Sequence, residues 1–203
     1  MIVIGASAGG FRAVIDLLAR LPADLPAWIG VVIHRGAASS SNWSRALGQK
    51  TSLTVVEPAD GDALKRGVVY LAPGDCHMTF ESERIRLDGE PKEHHTRPAV
   101  DPLFSSAARA YGPRVVGVVL SGGGHDGMLG LLDVTNAGGL SLVQKLSEAE
   151  HNSMPAFSIA HDHVCAALSV EELGDALLRL ARGEAVSVSD AEAPASQANR
   201  QAS

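Results

Sequence analysis

Apolar positions along this chain fall into two patterns. Short continuous runs at residues 2–4, 28–33, 53–56, 115–120 and 140–143 predict buried strands. Between them, Phe11, Val14, Leu17, Leu18 and Leu21 recur at the three- and four-residue spacing of a helix, as do Leu103, Phe104, Ala107, Ala108 and Tyr111, and then Met128, Leu131, Leu132 and Val134. Residues 154–159 and 170–180 follow the same spacing, and residues 41–47 form a shorter helix, with serines as caps and a face of Trp43, Ala46 and Leu47. Asp101 followed by Pro102 predicts an N-cap and first helical residue, and Gly112-Pro113 ends that helix. Strands and helices alternate, and wholly apolar strands belong in a parallel sheet covered on both faces. The predicted fold is α/β: a three-layer, mostly parallel, doubly wound sheet flanked by helices. Residues 68–87 break the rhythm, with runs at 68–71 and 77–80 and then alternation through Ile85 and Leu87, which predicts an antiparallel hairpin inserted at a sheet edge. Residues 90–98, polar with two prolines, read as a loop.

The chain has 203 residues, 45% hydrophobic and 20% charged, with a mean hydropathy of +0.08, enough apolar side chain for one core and too much for wholesale disorder. One domain over residues 1–183 is expected. Residues 184–203 contain no aromatic and much Ala, Ser and Gln, the composition of a disordered tail. Seventeen Lys+Arg against 23 Asp+Glu leave a net charge of −6, which gives nucleic acid no source of attraction. Two cysteines, Cys76 and Cys165, suit a reducing cytoplasm and structural thiols better than a disulfide framework. The longest apolar run, residues 27–33, falls well short of the ~20 residues that span a bilayer. No basic flank of an export signal precedes Gly5, so no membrane insertion is expected.

In an open parallel sheet, ligands and catalytic groups gather at the carboxyl ends of strands. Ser7 lies in the glycine turn after the first strand, His34 directly follows the second, and Asp126 lies in the turn Ser121-Gly122-Gly123-Gly124-His125-Asp126-Gly127. These are the residue types of a hydrolytic triad: a hydroxyl needs a base to take its proton, and the base needs a carboxylate to fix its tautomer. Each has a plainer role open to it, Ser7 as a helix cap, His34 as a surface histidine and Asp126 as the cap of the helix after Gly127. Their joint placement favours the nucleophilic reading. Backbone amides of Ala8, Gly9 and Gly123 are the candidate donors to an oxyanion.

Two other readings stay open. The turn from Gly5 to Gly10 also suits a dinucleotide phosphate, but the second strand ends in His34-Arg35 where a ribose needs an acid, so only NADP would fit, through Arg35. A non-catalytic interaction module with this fold is the second. His94-His95 and His161-x-His163 have no carboxylate or cysteine at ligand spacing, so no metal is expected.

Five segments in order carry a family resemblance: Ile4-Gly5-Ala6-Ser7-Ala8-Gly9-Gly10; Val31-Val32-Ile33-His34; Val69-Tyr70-Leu71-Ala72-Pro73-Gly74 with His77; Arg97-Pro98-Ala99-Val100-Asp101; and Val118-Val119-Leu120-Ser121-Gly122 continuing to Asp126-Gly127. From residue 1 to about 180 the chain resembles the chemotaxis protein-glutamate methylesterases of the CheB type. That resemblance implies Ser7 as nucleophile, His34 as base and Asp126 as its orienting partner. It also sets Arg97 along the cleft, although from the residues alone Arg97 reads equally as a surface residue ahead of Asp101. It implies hydrolysis of glutamyl methyl esters on methyl-accepting chemoreceptors or related methylated proteins, with glutamine deamidation in some members, and neither metal nor organic cofactor. Three departures follow. The family's usual N-terminal receiver domain is expected to be missing, because the nucleophile strand starts at residue 2, which leaves regulation to a separate signalling partner. Gly123 stands where the family usually has methionine, and Arg35 where methionine often follows the histidine.

Overall fold

The computed structural model describes residues 1–36, 42–161 and 164–186. It begins with β1 (Ile2–Ala6), α1 (Gly10–Leu18) and β2 (Ile29–Ile33), the strand, turn, helix, strand unit expected of the first 33 residues. There follow α2 (Trp43–Gly48), β3 (Thr54–Val56), β4 (Val68–Leu71), β5 (His77–Glu81), β6 (Arg84–Asp88) and α3 (Val100–Tyr111). The chain continues through β7 (Val116–Val119), α4 (Met128–Asn136), β8 (Leu140–Gln144), α5 (Ser153–His161), β9 (Ala166–Leu168) and α6 (Val170–Ala181). The serines at 39–41 expected to cap α2, His163, and residues 187–203 of the expected tail lie outside the described residues.

Seven strands form one wholly parallel sheet in the order β3-β4-β2-β1-β7-β8-β9. The chain builds outward from β1 in one direction, then crosses back to build from its other side. The switch point, where such sheets open a crevice, is therefore the carboxyl end of β1. The predicted fold class is the observed one, with two differences in detail. Residues 68–71 are not part of the hairpin but a parallel strand inside the main sheet, and β5 and β6 pair antiparallel as a sheet of their own. That hairpin packs on α3: the Phe80 N–H donates to Ser106 Oγ at 3.1 Å, and the Tyr111 hydroxyl donates to the Ser82 carbonyl. The short strand β9, unannounced by any long apolar run, pairs with β8.

Strand alternation sorts side chains into two cores. Ile2, Ile4 and Ala6 of β1 join Ile29, Val31 and Ile33 of β2 in a cluster with Val14 and Leu17 of α1 and Leu173 and Leu177 of α6. Val3, Val32 and Val119 cluster with Val100, Leu103 and Phe104 of α3 and with Leu131 and Val134 of α4. Gly5 is on this second face, and a Cβ there would lie 2.3 Å from Val100 Cγ1, so its missing side chain lets the first turn of α3 rest on β1. The register runs from Ile2 opposite Ile29 to Ala6 opposite Ile33. One step further sets Ser7 opposite His34, and the parity of both directs them to the α3 face. Among the described residues, no helix is long and apolar enough to cross a membrane.

Candidate active site

Main-chain bonds carry the pairing one residue beyond β1 on both sides. The His34 N–H donates to the Ala6 carbonyl at 3.0 Å, and the Ser7 N–H to the Ser121 carbonyl at 3.0 Å. Ser7 is thereby fixed between the ends of β2 and β7. It does not cap α1 through its side chain: Gly9 is the N-cap, at a left-handed φ of 71° that glycine tolerates, and the cap has no side-chain bond. Among the described residues Ser7 Oγ makes no hydrogen bond, which leaves the hydroxyl free for chemistry.

His34 and Asp126, 92 residues apart in the chain, meet with Nε2 2.6 Å from Oδ2; their side chains are 10% and 2% exposed. The same carboxylate accepts the N–H of Val100 at 2.7 Å and of Asp101 at 3.0 Å. Asp126 therefore caps α3 rather than the helix that follows it, whose N-cap is Gly127. This also corrects the start of α3. Asp101 is not its N-cap; Ala99 is, because the amides of the first turn are satisfied by Asp126 from another loop. Burial alone pushes the Asp126 carboxyl upward, but the hydrogen bond and charge of His34 and the two amides bring it below its ordinary value. An ionised carboxylate can only accept, so His34 Nε2 carries the proton of this bond and Nδ1 is left as the basic nitrogen. Thr96 Oγ1 lies 3.4 Å from the same Nε2.

A second imidazole and carboxylate, missed in the sequence, lie beside the first. His94 Nε2 is 2.8 Å from Asp101 Oδ2, and Asp101 Oδ1 accepts the Gly130 N–H at 2.7 Å. Burial, and then the charge of Asp126, raise the Asp101 carboxyl, so two adjacent carboxyls are pushed in opposite directions. His94 thus has the carboxylate that its sequence spacing did not disclose. Donor atoms of His94, Asp101 and Asp126 lie within 4.8 Å of one another, close enough to hold a cation. Each of the four carboxylate oxygens already has an amide or imidazole hydrogen-bond partner. Buried His77, the histidine of the third motif, ties down the loop before α3: its Nδ1 accepts the Ala99 N–H at 3.3 Å and its Nε2 meets the Pro91 carbonyl at 3.1 Å.

Ala8 and Gly123 are exposed, and among the described residues the amides of Ala8, Gly9 and Gly123 make no hydrogen bond. The Gly122 amide is already bound to the His151 carbonyl at 2.8 Å, and a Cβ at Gly122 would lie 2.9 Å from Ser7 Cβ, so this turn passes directly beside Ser7. Arg97 lines a cavity of about 300 Å³ together with His34, Arg35, Lys92, His95 and Thr96. Its guanidinium is largely committed, with Nε and Nη2 on Asp75 at 3.0 and 2.7 Å and Nη1 on the carbonyls of Gly89 and Glu90 at 2.7 and 2.9 Å. The Arg35 side chain is 3% exposed and donates to Glu57 at 3.1 Å and to the Ala72 carbonyl at 2.5 Å.

The family model described as CheB methylesterase matches residues 2–177. Over 182 residues the chain is 39% identical to the protein-glutamate methylesterase/protein-glutamine glutaminase 2 of Anaeromyxobacter dehalogenans, covering 90% of this chain and 53% of that one. Over 180 residues it is 36% identical to the protein-glutamate methylesterase/protein-glutamine glutaminase of Symbiobacterium thermophilum, covering 88% and 50%. The chain spans about half the length of these curated relatives. The crystal structure of the Thermotoga maritima CheB methylesterase catalytic domain matches with a TM-score of 0.83 at 31% identity, over 88% of this chain and 97% of that one. A family model spanning most of the sequence and a solved catalytic domain spanning most of the fold agree: this chain belongs to the CheB methylesterase family.

Proposed function

We propose that the protein is a protein-glutamate methylesterase, a serine hydrolase that removes methyl groups from glutamyl esters of methyl-accepting chemoreceptors or related methylated proteins. The observation that carries this reading is the 2.6 Å bond between His34 and buried Asp126 at the strand end next in register to Ser7. Ser7 Oγ attacks the ester carbonyl carbon while His34 Nδ1 takes its proton, and Asp126 stabilises the imidazolium that results. Amides of Ala8, Gly9 and Gly123 stabilise the negative oxygen of the tetrahedral intermediate. Methoxide leaves with the proton held by His34, as methanol. Water then attacks the acyl-enzyme with His34 again as base; the Ser7–acyl bond breaks, the proton returns to Ser7 Oγ, and glutamate and a proton are released.

A glutamine amide forms the same acyl-enzyme with ammonia as the leaving group, so deamidation is the second activity to assay. The test is methanol release from methylated receptor membranes by the wild type and Ser7→Ala side by side. Loss of at least ~10³-fold is expected for Ser7→Ala. Unchanged release would leave the fold as an interaction module.

A further inference from the structure

The cavity of about 300 Å³ beside the catalytic base has a basic lining: His34, Arg35, Lys92, His95 and Arg97 against a single acid, Asp75. On a chain of net charge −6 this concentration is local. The two arginines are held in place, Arg97 by Asp75 and Arg35 by Glu57, with the Arg35 guanidinium 5.7 Å from the Trp43 ring centroid. Arg35 Nε is buried and has no hydrogen-bond partner among the described residues. Exposed Lys92 makes no ion pair among the described residues, so its charge is uncompensated. A neutral methyl ester cannot use this charge; an anion can.

We infer that this cavity is a carboxylate subsite, which holds a free acidic side chain of the substrate segment while the neighbouring glutamyl ester lies against Ser7. The inference rests on the esterase reading for the identity of that segment. Lys92 supplies an unpaired point charge for the carboxylate, beside two guanidinium groups already fixed by Glu57 and Asp75. Because His34 lines the same cavity, a carboxylate bound there is held next to the reacting ester. The enzyme accordingly selects esters that have free acids beside them.

Binding, measured apart from turnover, tests this. Two fluorescent peptides carrying one glutamyl methyl ester, flanked by Glu in one and by Gln in the other, are titrated into the Ser7→Ala variant by anisotropy. The Glu peptide is expected to bind about fivefold more tightly at low salt, with the advantage shrinking as salt rises. Lys92→Ala, at an exposed position, is expected to remove most of that advantage, and Arg35→Met to reduce it. Equal affinity for the two peptides overturns the subsite, as does an advantage untouched by Lys92→Ala. Methanol release from both peptides by the wild type is followed separately: failure to cleave either sinks the esterase reading, while the affinity comparison still decides the subsite.

Discussion

Asp126 accepts the N–H of Val100, the first residue of α3, through the same Oδ2 that meets His34 Nε2. The carboxylate that holds His34, the proposed base, is thus also the cap of a helix whose first turn lies on β1. Both partners draw the carboxyl toward its ionised form. Activity and stability are consequently tied at this residue.

Asp126→Ala leaves two buried amides and an imidazole without their acceptor, a loss of about 2–4 kcal/mol. For a chain of this length that lowers Tm by roughly 5–15 °C. Asp126→Asn keeps an oxygen for the amides and is expected to melt closer to wild type, yet to lose about 10⁴-fold in methanol release, because an amide cannot stabilise the imidazolium. Calorimetry beside the methanol assay separates the two roles. An alanine variant that melts with the wild type would show that α3 does not depend on this cap.

Gly5 makes a second link between β1 and α3. A Cβ there would lie 2.3 Å from Val100 Cγ1 and 3.2 Å from Val100 Cβ, both on a branched side chain with little freedom to withdraw. Gly5→Ala is expected to destabilise by about 1–3 kcal/mol. Val100→Ala in the same chain removes the two colliding methyl groups, so the pair should fall short of additivity by about 1 kcal/mol in a double-mutant cycle. Additive losses would mean that α3 shifts instead.

The strand ends were legible because wholly apolar runs stop abruptly, at His34 after Ile33 and in a glycine turn after Leu120, and the rule for parallel sheets turns such ends into a site. What stayed hidden depends on contacts across the fold. Capping rules look within one turn and so name Asp101, whereas the first amides of α3 are satisfied by Asp126, 25 and 26 residues away. His94 finds its carboxylate seven residues on, at no recognised metal spacing, only because the loop before α3 folds back onto the helix. Residues 68–71 show that an apolar run does not disclose its partners: β4 sits between β3 and β2, and nothing local says parallel. Ala166–Leu168 is too short to stand out and is a strand only through its bonds to β8.

In the proposed reaction Gly123 offers a backbone amide and no side chain. A Cβ built there meets nothing within 4 Å, so Gly123→Ala and Gly123→Met are expected to stay within about 0.5 kcal/mol of wild type. The amide is retained in both, and kcat should hold within a few-fold. The methionine adds apolar surface to the turn that passes Ser7 and is expected to lower KM. A collapse of kcat in Gly123→Ala would show that the turn must adopt a conformation only glycine reaches.

Asp101 gives the prediction whose sign is least obvious. Its carboxyl is raised by burial and then by the charge of Asp126, while the Gly130 amide and His94 oppose that shift. The fold therefore favours the protonated acid. Stability from that preference is fully present below the ordinary carboxylate range and is lost as pH rises through the raised folded value. In Asp101→Asn the side-chain amide still presents an oxygen to the Gly130 N–H but places no charge beside Asp126, so the substitution removes the penalty that applies at neutral pH. The variant is expected to melt above wild type at pH 7, with the gap closing as the pH approaches 4. A lower Tm at pH 7 would instead mean that the ionised pair of Asp101 with a protonated His94 stabilises the fold. Melting curves of both proteins from pH 4 to pH 8 decide between the two.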